Sequence, residues 1–150
     1  MLLALWEAEA AADRGEVPVG AVLVEGDTGR VIAASGNQIR SSHDPTAHAE
    51  ILVIRAAAQL LREPRLLHCD LYVTLEPCPM CAAAISLARL RRLYFGAYDP
   101  KSGGVEHGAR VFDHATCHHR PEVIGGLRET RCAALLTTFF QNLRKDVEPT

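Results

Sequence analysis

Leu71-Tyr72-Val73-Thr74-Leu75-Glu76-Pro77-Cys78-Pro79-Met80-Cys81 decides the fold. Residues Cys69 to Leu75 read as a strand. Pro77 and Pro79 flank Cys78, and a helix is expected from there to about Leu90. Arg92 to Gly96 follows as another strand. A strand, a helix and a strand in close succession form the repeating unit of an α/β layer architecture.

Outward from this unit the alternation continues. Upstream, Ala47 to Arg62 has helical period, with Ile51, Ile54, Ala58 and Leu61 on one face, and Pro64 stops it. Ser41 to Pro45 is a loop before it. Val17 to Val24 is nearly all apolar, with Pro18 only at its start, and suits a buried strand. Gly26-Asp27-Thr28-Gly29 is a turn, and Arg30 to Asn37 completes a hairpin. A first helix reaches about Asp13, with Met1, Leu5, Ala8 and Ala12 on one face and Gly15 ending it. Downstream, a Gly-rich segment from Ala97 to about Arg120 leads to a short strand at Glu122 to Ile124. In the last helix Cys132, Leu135, Leu136, Phe139, Phe140 and Leu143 recur at helical spacing, which places Phe139 and Phe140 in the core. The expected architecture is one α/β/α three-layer domain over residues 1–150. Its sheet is mixed, with about five strands: antiparallel at the hairpin, parallel after the crossovers.

Composition bounds the function. The chain has 150 residues, 48% hydrophobic and 23% charged, so it builds a core and is no disordered or low-complexity protein. A net charge of −2 argues against bulk coating of nucleic acid and leaves room for a compact site on one RNA loop. No apolar run is long enough to span a membrane. Met1 to Trp6 is apolar but meets Glu7 and Glu9 at once, without a basic region or cleavage site, so no signal peptide is read. The cytoplasm is the expected compartment. Five cysteines are an odd number in such a chain, which disfavours a disulfide framework.

Two segments carry the chemistry: His48-Ala49-Glu50 at the start of one helix and Pro77-Cys78-Pro79-Met80-Cys81 at the start of the next. Alone, the Cys-x-x-Cys pair reads as buried filler, redox couple or metal clip. His48 alone reads as a satisfied polar residue, and Glu50 as a first-turn acid on the helix dipole. Glu50 has no capping box, because Ala49 stands three residues after Thr46. A redox pair leaves His-x-Glu without a role. Taken together, His48, Cys78 and Cys81 supply one nitrogen and two sulfurs, three zinc ligands with a fourth position open, as catalytic zinc sites have. Glu50 then serves as a proton shuttle beside the metal, one zinc per subunit. His114, Cys117, His118 and His119 form a second cluster, expected to be loop residues ordered against the sheet.

This His-x-Glu and Pro-Cys-x-x-Cys arrangement is similar to the signature of zinc-dependent nucleobase deaminases. Within that class the chain resembles the bacterial tRNA-specific adenosine deaminases. The matching stretches are Glu16 to Val22, Asp44 to Ile51, Leu71 to Cys78, Phe95-Gly96-Ala97 with Asp99 and Lys101, and Cys132 to Leu136 with Phe139-Phe140. The resemblance implies a cytidine-deaminase-like fold, a homodimer and no organic cofactor. It implies hydrolytic conversion of the wobble adenosine to inosine in the anticodon stem-loop of an arginine tRNA with an ACG anticodon. It also implies that Asn37 hydrogen-bonds the flipped base, and that Asp99 and Lys101 lie on a loop meeting the RNA. Phe139, Phe140 and Arg144 lie near RNA in that family. Tyr98 and Pro100, flanking Asp99, depart from some relatives. From the residues alone, Asn37 is a turn former closing a strand, and Asp99-Pro100-Lys101 a solvated turn. Two other readings stand beside this one: a small-molecule deaminase acting on guanine or a cytosine nucleotide, and a non-enzymatic zinc module. Glu50 and the missing fourth ligand disfavour the module.

Overall fold

The computed structural model describes residues 1–147. The elements are α1 (Leu2–Asp13), β1 (Gly20–Glu25), β2 (Val31–Gly36), α2 (Ala49–Leu61), β3 (Cys69–Leu75), α3 (Pro79–Leu87), β4 (Arg92–Ala97), β5 (Glu122–Ile124) and α4 (Glu129–Val147), with a 3₁₀ turn at Val111–Asp113. The strands form one mixed sheet in the order β2-β1-β3-β4-β5. β1 runs antiparallel to β2 and β3, whereas β3, β4 and β5 are parallel. Helices α1 and α4 cover one face, and α2 and α3 the other, which is the expected three-layer arrangement. Among the described residues, no helix is long and apolar enough to cross a membrane.

The period of two along each strand sorts side chains between the layers. Ala21, Leu23, Leu71, Val73, Leu93 and Phe95 point into the layer of α2 and α3 and meet Val53, Ala57, Ala82 and Ile85. Leu23, Leu71, Leu93 and Phe95 are fully buried. Each such burial contributes about 2 kcal/mol. On the opposite face Gly20 lies under the backbone of α1, and Gly96 under Cys132 of α4. Two polar bonds tie the strands together. Gly20 N–H donates to Thr74 Oγ1 at 3.1 Å. Arg91 forms a two-pronged pair with the buried carboxylate of Asp70, at 2.9 and 3.0 Å, and reaches Asp27 in the hairpin turn.

Several boundaries and faces differ from expectation. β1 starts at Gly20, not Val17, because Pro18 has no N–H and Val19 N–H turns back to Val17 O. α2 buries Ala49, Val53 and Ala57 at its centre, leaving Ile54 and Leu61 only partly covered. Small residues let the helix lie close on the sheet, and the larger ones pack along its flank. α3 stops at Leu87, where Arg89 takes a left-handed φ of 57° and Leu90 N–H returns to Ile85 O. In α4 the apolar stripe enters the core only at its start. Cys132 is buried, whereas Phe140 is 42% exposed and Leu143 39%. The expectation that Phe140 belongs to the core is corrected accordingly: the sheet ends before the helix does.

A Cβ on Gly20 would overlap the Ala4 carbonyl oxygen and lie 2.5 Å from Ala8 N, both backbone atoms of α1. Gly20→Ala is therefore expected to lift α1 off the sheet at a cost of about 2 kcal/mol. That lowers the thermal midpoint by roughly 5 °C for a chain of this size. An unchanged midpoint in circular dichroism melts would contradict this seating of α1.

Candidate active site

The site lies at the end of the sheet where β2 and β3 finish and β1 begins. His48 is the residue before α2 and Cys78 the residue before α3, both in extended backbone. Pro79 opens α3, where its missing N–H costs no helical bond. Cys81 follows in the same first turn and is buried. His48 Nδ1 stands 3.7 Å from Cys78 Sγ and 3.5 Å from Cys81 Sγ. The three atoms lie within 4.8 Å of one another, so this group could hold a metal ion. Two helix N-termini face it, and their dipoles favour negative sulfur. The hydrogen bond with Cys81, and then those with His48, pull the Cys78 thiol down to about 4. The same bond with Cys78 and burial push Cys81 upward.

Glu50 is the second residue of α2 and is 3% exposed. Burial pushes its carboxyl up to about 7, against the pull of its own backbone N–H and of His48. A carboxyl poised there both accepts and returns a proton near neutrality. His48 and Glu50, two residues apart, reach one point because His48 precedes the helix while Glu50 is inside it.

A cavity of about 200 Å³ opens beside this group. Val17, Val19, Ile39 and Leu75 form its apolar walls, and Asn37, His48, Glu50, Glu76, Cys78, Asp99 and Ser102 its polar ones. Asn37 is buried, and its Oδ1 accepts the Ala49 N–H at 2.8 Å, capping the first turn of α2. That bond orients the amide so that what it has left to offer is the Nδ2 donor. Asp99 Oδ1 accepts the N–H groups of Lys101 and Ser102 at 3.1 and 3.0 Å, so this carboxylate shapes its own turn.

Lys101 does not line the small cavity. It borders a wider one of about 900 Å³, with Tyr98, Leu136, Phe140, Leu143 and Arg144. Val17, Leu75, Asp99 and Ser102 belong to both walls, so the two spaces adjoin. Phe139 stands edge-on to Phe140 at 5.4 Å between centroids but lines a different groove, between α1 and α4, with Ala12 and Leu135. The second cluster, expected against the sheet, is instead ordered against α3 and its own loop. His114 Nε2 and His119 Nε2 each bond a backbone carbonyl at 2.7 Å, and Cys117 bonds Ser86.

Glu76 has no role in the sequence reading, yet its side chain is fully buried beside the ligand turn. Its carboxylate accepts from His107 Nδ1 at 2.8 Å, His107 N–H at 3.2 Å and Asp99 N–H at 3.4 Å. The one available signal was a carboxylate placed directly before Pro77-Cys78. Nothing local marks His107 as its partner.

A family model described as MafB19-like deaminase matches residues 1–144. A tRNA-specific adenosine deaminase of Agrobacterium fabrum is 60% identical over 97% of this chain and 95% of its own length. A solved structure from a study of A-to-I editing by tRNA:A34 deaminases at the wobble position of transfer RNA is 61% identical, with a TM-score of 0.88 over 91% of this chain and 97% of that one. A guanine deaminase structure from Bacillus subtilis is 30% identical, with a TM-score of 0.63 over 98% and 92% of the two chains. At such identity over nearly the whole length, with a buried glutamate beside a His/Cys/Cys group, the chain belongs to the tRNA-specific adenosine deaminase family of the MafB19-like deaminases.

Proposed function

We propose that this chain is a zinc-dependent enzyme that converts the wobble adenosine of a tRNA anticodon loop to inosine, with an arginine tRNA carrying an ACG anticodon as its substrate. It acts in the cytoplasm as a homodimer of single-domain subunits, without an organic cofactor. The observation that carries this reading is that the two cavities adjoin, sharing Val17, Leu75, Asp99 and Ser102. The small one beside Glu50 suits an extruded base, and the wide one provides room for the neighbouring nucleotides that a free base lacks.

Zinc fits the donor set. One nitrogen and two sulfurs around a tetrahedral ion, with bonds of about 2.0 and 2.3 Å, stand about 3.6 Å apart. The His48–Cys78 and His48–Cys81 separations of 3.7 and 3.5 Å agree. His48, Cys78 and Cys81 would hold one zinc per subunit, and Glu50 has no place among the ligands. When bound, zinc supplies the Lewis acidity that makes water a nucleophile near neutral pH.

The chain's own groups do the rest. Asn37, oriented by Ala49 N–H, offers Nδ2 to a ring acceptor of the base. Glu50 takes the proton of the attacking water and delivers it to N1 of adenine as C6 is attacked. It then carries the proton of the new C6 hydroxyl to the exocyclic amine, which leaves as ammonia while C6 becomes the carbonyl of inosine. Val17, Val19, Ile39 and Leu75 exclude bulk water around these transfers. Extrusion from an unpaired loop costs less than from a duplex, which favours a tRNA loop.

Glu50→Gln is expected to keep metal and fold while kcat falls by about 10² to 10⁴. Near-normal turnover would remove Glu50 from the mechanism, and loss of metal would make it a ligand. Elemental analysis is expected to find one zinc per chain, and Cys78→Ala or chelation to remove both zinc and activity. In parallel assays the isolated anticodon stem-loop should be deaminated, and free adenosine, guanine and dCMP left nearly untouched. Efficient turnover of guanine with an inert stem-loop would transfer the assignment to the small-molecule class. Asn37→Ala should lower kcat/KM on the stem-loop about tenfold with zinc retained. Unchanged kinetics there would sink the base contact.

A further inference from the structure

The connection from β4 to β5 carries Tyr98, Asp99 and Ser102 along the cavity walls, with the Tyr98 ring edge-on to Phe95 at 5.1 Å between centroids. The backbone of this turn is also tied to a carboxylate outside it. Glu76 side-chain atoms have no exposure to solvent. A buried carboxylate has to fill its acceptor sites with donors. Here the donors are Asp99 N–H at the near end of the connection and His107, through both its N–H and Nδ1, at the far end. Gly103 passes so close that a Cβ there would overlap Glu76 Oε2. Gly104 N–H bonds Pro77 O at 2.8 Å. The connection therefore wraps around Glu76, and His107 is the side chain that closes the wrap. Its ring also stands edge-on to Tyr98, at 6.0 Å between centroids and 78° between planes.

We propose that His107 is a positioning residue for substrate: by donating Nδ1–H to buried Glu76 and backing the Tyr98 ring, it holds the wall from Tyr98 to Ser102 where the two cavities adjoin. The inference rests on the proposed tRNA reading and deepens it. His107 lines neither cavity and touches none of His48, Glu50, Cys78 or Cys81, so it acts through the wall. Removing it frees the turn that meets the nucleotides flanking the target and leaves the chemical centre intact. The consequence falls on substrate binding more than on the chemical step.

The test uses three variants of the zinc-loaded enzyme on the anticodon stem-loop. His107→Asn keeps a donor at the place of Nδ1 and loses the ring. His107→Phe keeps the ring and loses the donor. His107→Ala loses both. For the alanine and phenylalanine variants KM is expected to rise about tenfold, the size of one lost hydrogen bond of ordinary net strength. Their kcat is expected to stay within about threefold and zinc at one per chain, as for loss of binding alone. The asparagine variant is expected to return KM most of the way to wild type. A phenylalanine variant indistinguishable from wild type, or an asparagine variant as weak as alanine, overturns the role of the donor. Parallel loss of kcat, zinc and thermal midpoint in all three would show a merely structural residue and overturn the proposal as well. If alanine does not fold, the contrast between asparagine and phenylalanine decides alone. Wild-type enzyme inert on the stem-loop and active on guanine would instead overturn the functional reading on which this inference stands.

Discussion

Two helices have to point their N-termini at one spot, and much of the molecule exists to make them do so. His48 and Cys78 are thirty residues apart in sequence, and their ligand atoms meet at 3.7 Å. Each stands just before a helix, on a chain segment leaving the same end of the sheet. The pairing of β1 between β2 and β3 brings those segments side by side. The register sets the distance: Gly20 lies opposite Gly36 on one side, while Thr74 receives its N–H on the other. A one-residue slip would exchange the faces of β3 and carry the ligand turn away from His48.

The same convergence has an electrostatic cost that the site turns to use. Glu50 is a carboxyl without solvent, beside sulfur that carries negative charge, and burial raises its affinity for a proton. In an ordinary core this is destabilising. Here the raised proton affinity places the group where transfer in both directions is cheap. Glu76, equally buried and only a few residues from the ligands, meets the same cost differently. It is surrounded by donors and organises a loop. Environment gives two carboxylates of one site different characters: Glu50 with a raised proton affinity and Glu76 as a charged anchor for a loop.

Much of the architecture was legible along the chain, for a local reason. The strand before Glu76, the hairpin, the short β5 and the ligand positions at helix starts follow from periodicity, prolines and spacing, all properties of adjacent residues. The misread details depended on what lay opposite. Val17 to Val19 look like strand but lack the pairing that Pro18 denies them. Ile54 and Leu61 look like the buried face of α2, yet the sheet accepts Val53 and Ala57 more closely. Phe139 and Phe140 look like one core pair, and the end of the sheet sends them to different grooves.

What the sequence determined by itself was the chemistry of the groups: a nitrogen, two sulfurs and a carboxyl at helix starts, and the strand–helix alternation that carries them. Residue type and local period need no partner to be read. Only the tertiary structure decided that Asn37 caps the first turn of α2, that Lys101 borders the wide cavity and not the small one, and that His107 closes on Glu76. Those contacts join residues 12 and 31 positions apart, or depend on which wall a loop faces. Such pairings are set by the packing of the layers and the crossover from β4 to β5, and no pattern along the chain encodes the distance at which two loops come to rest.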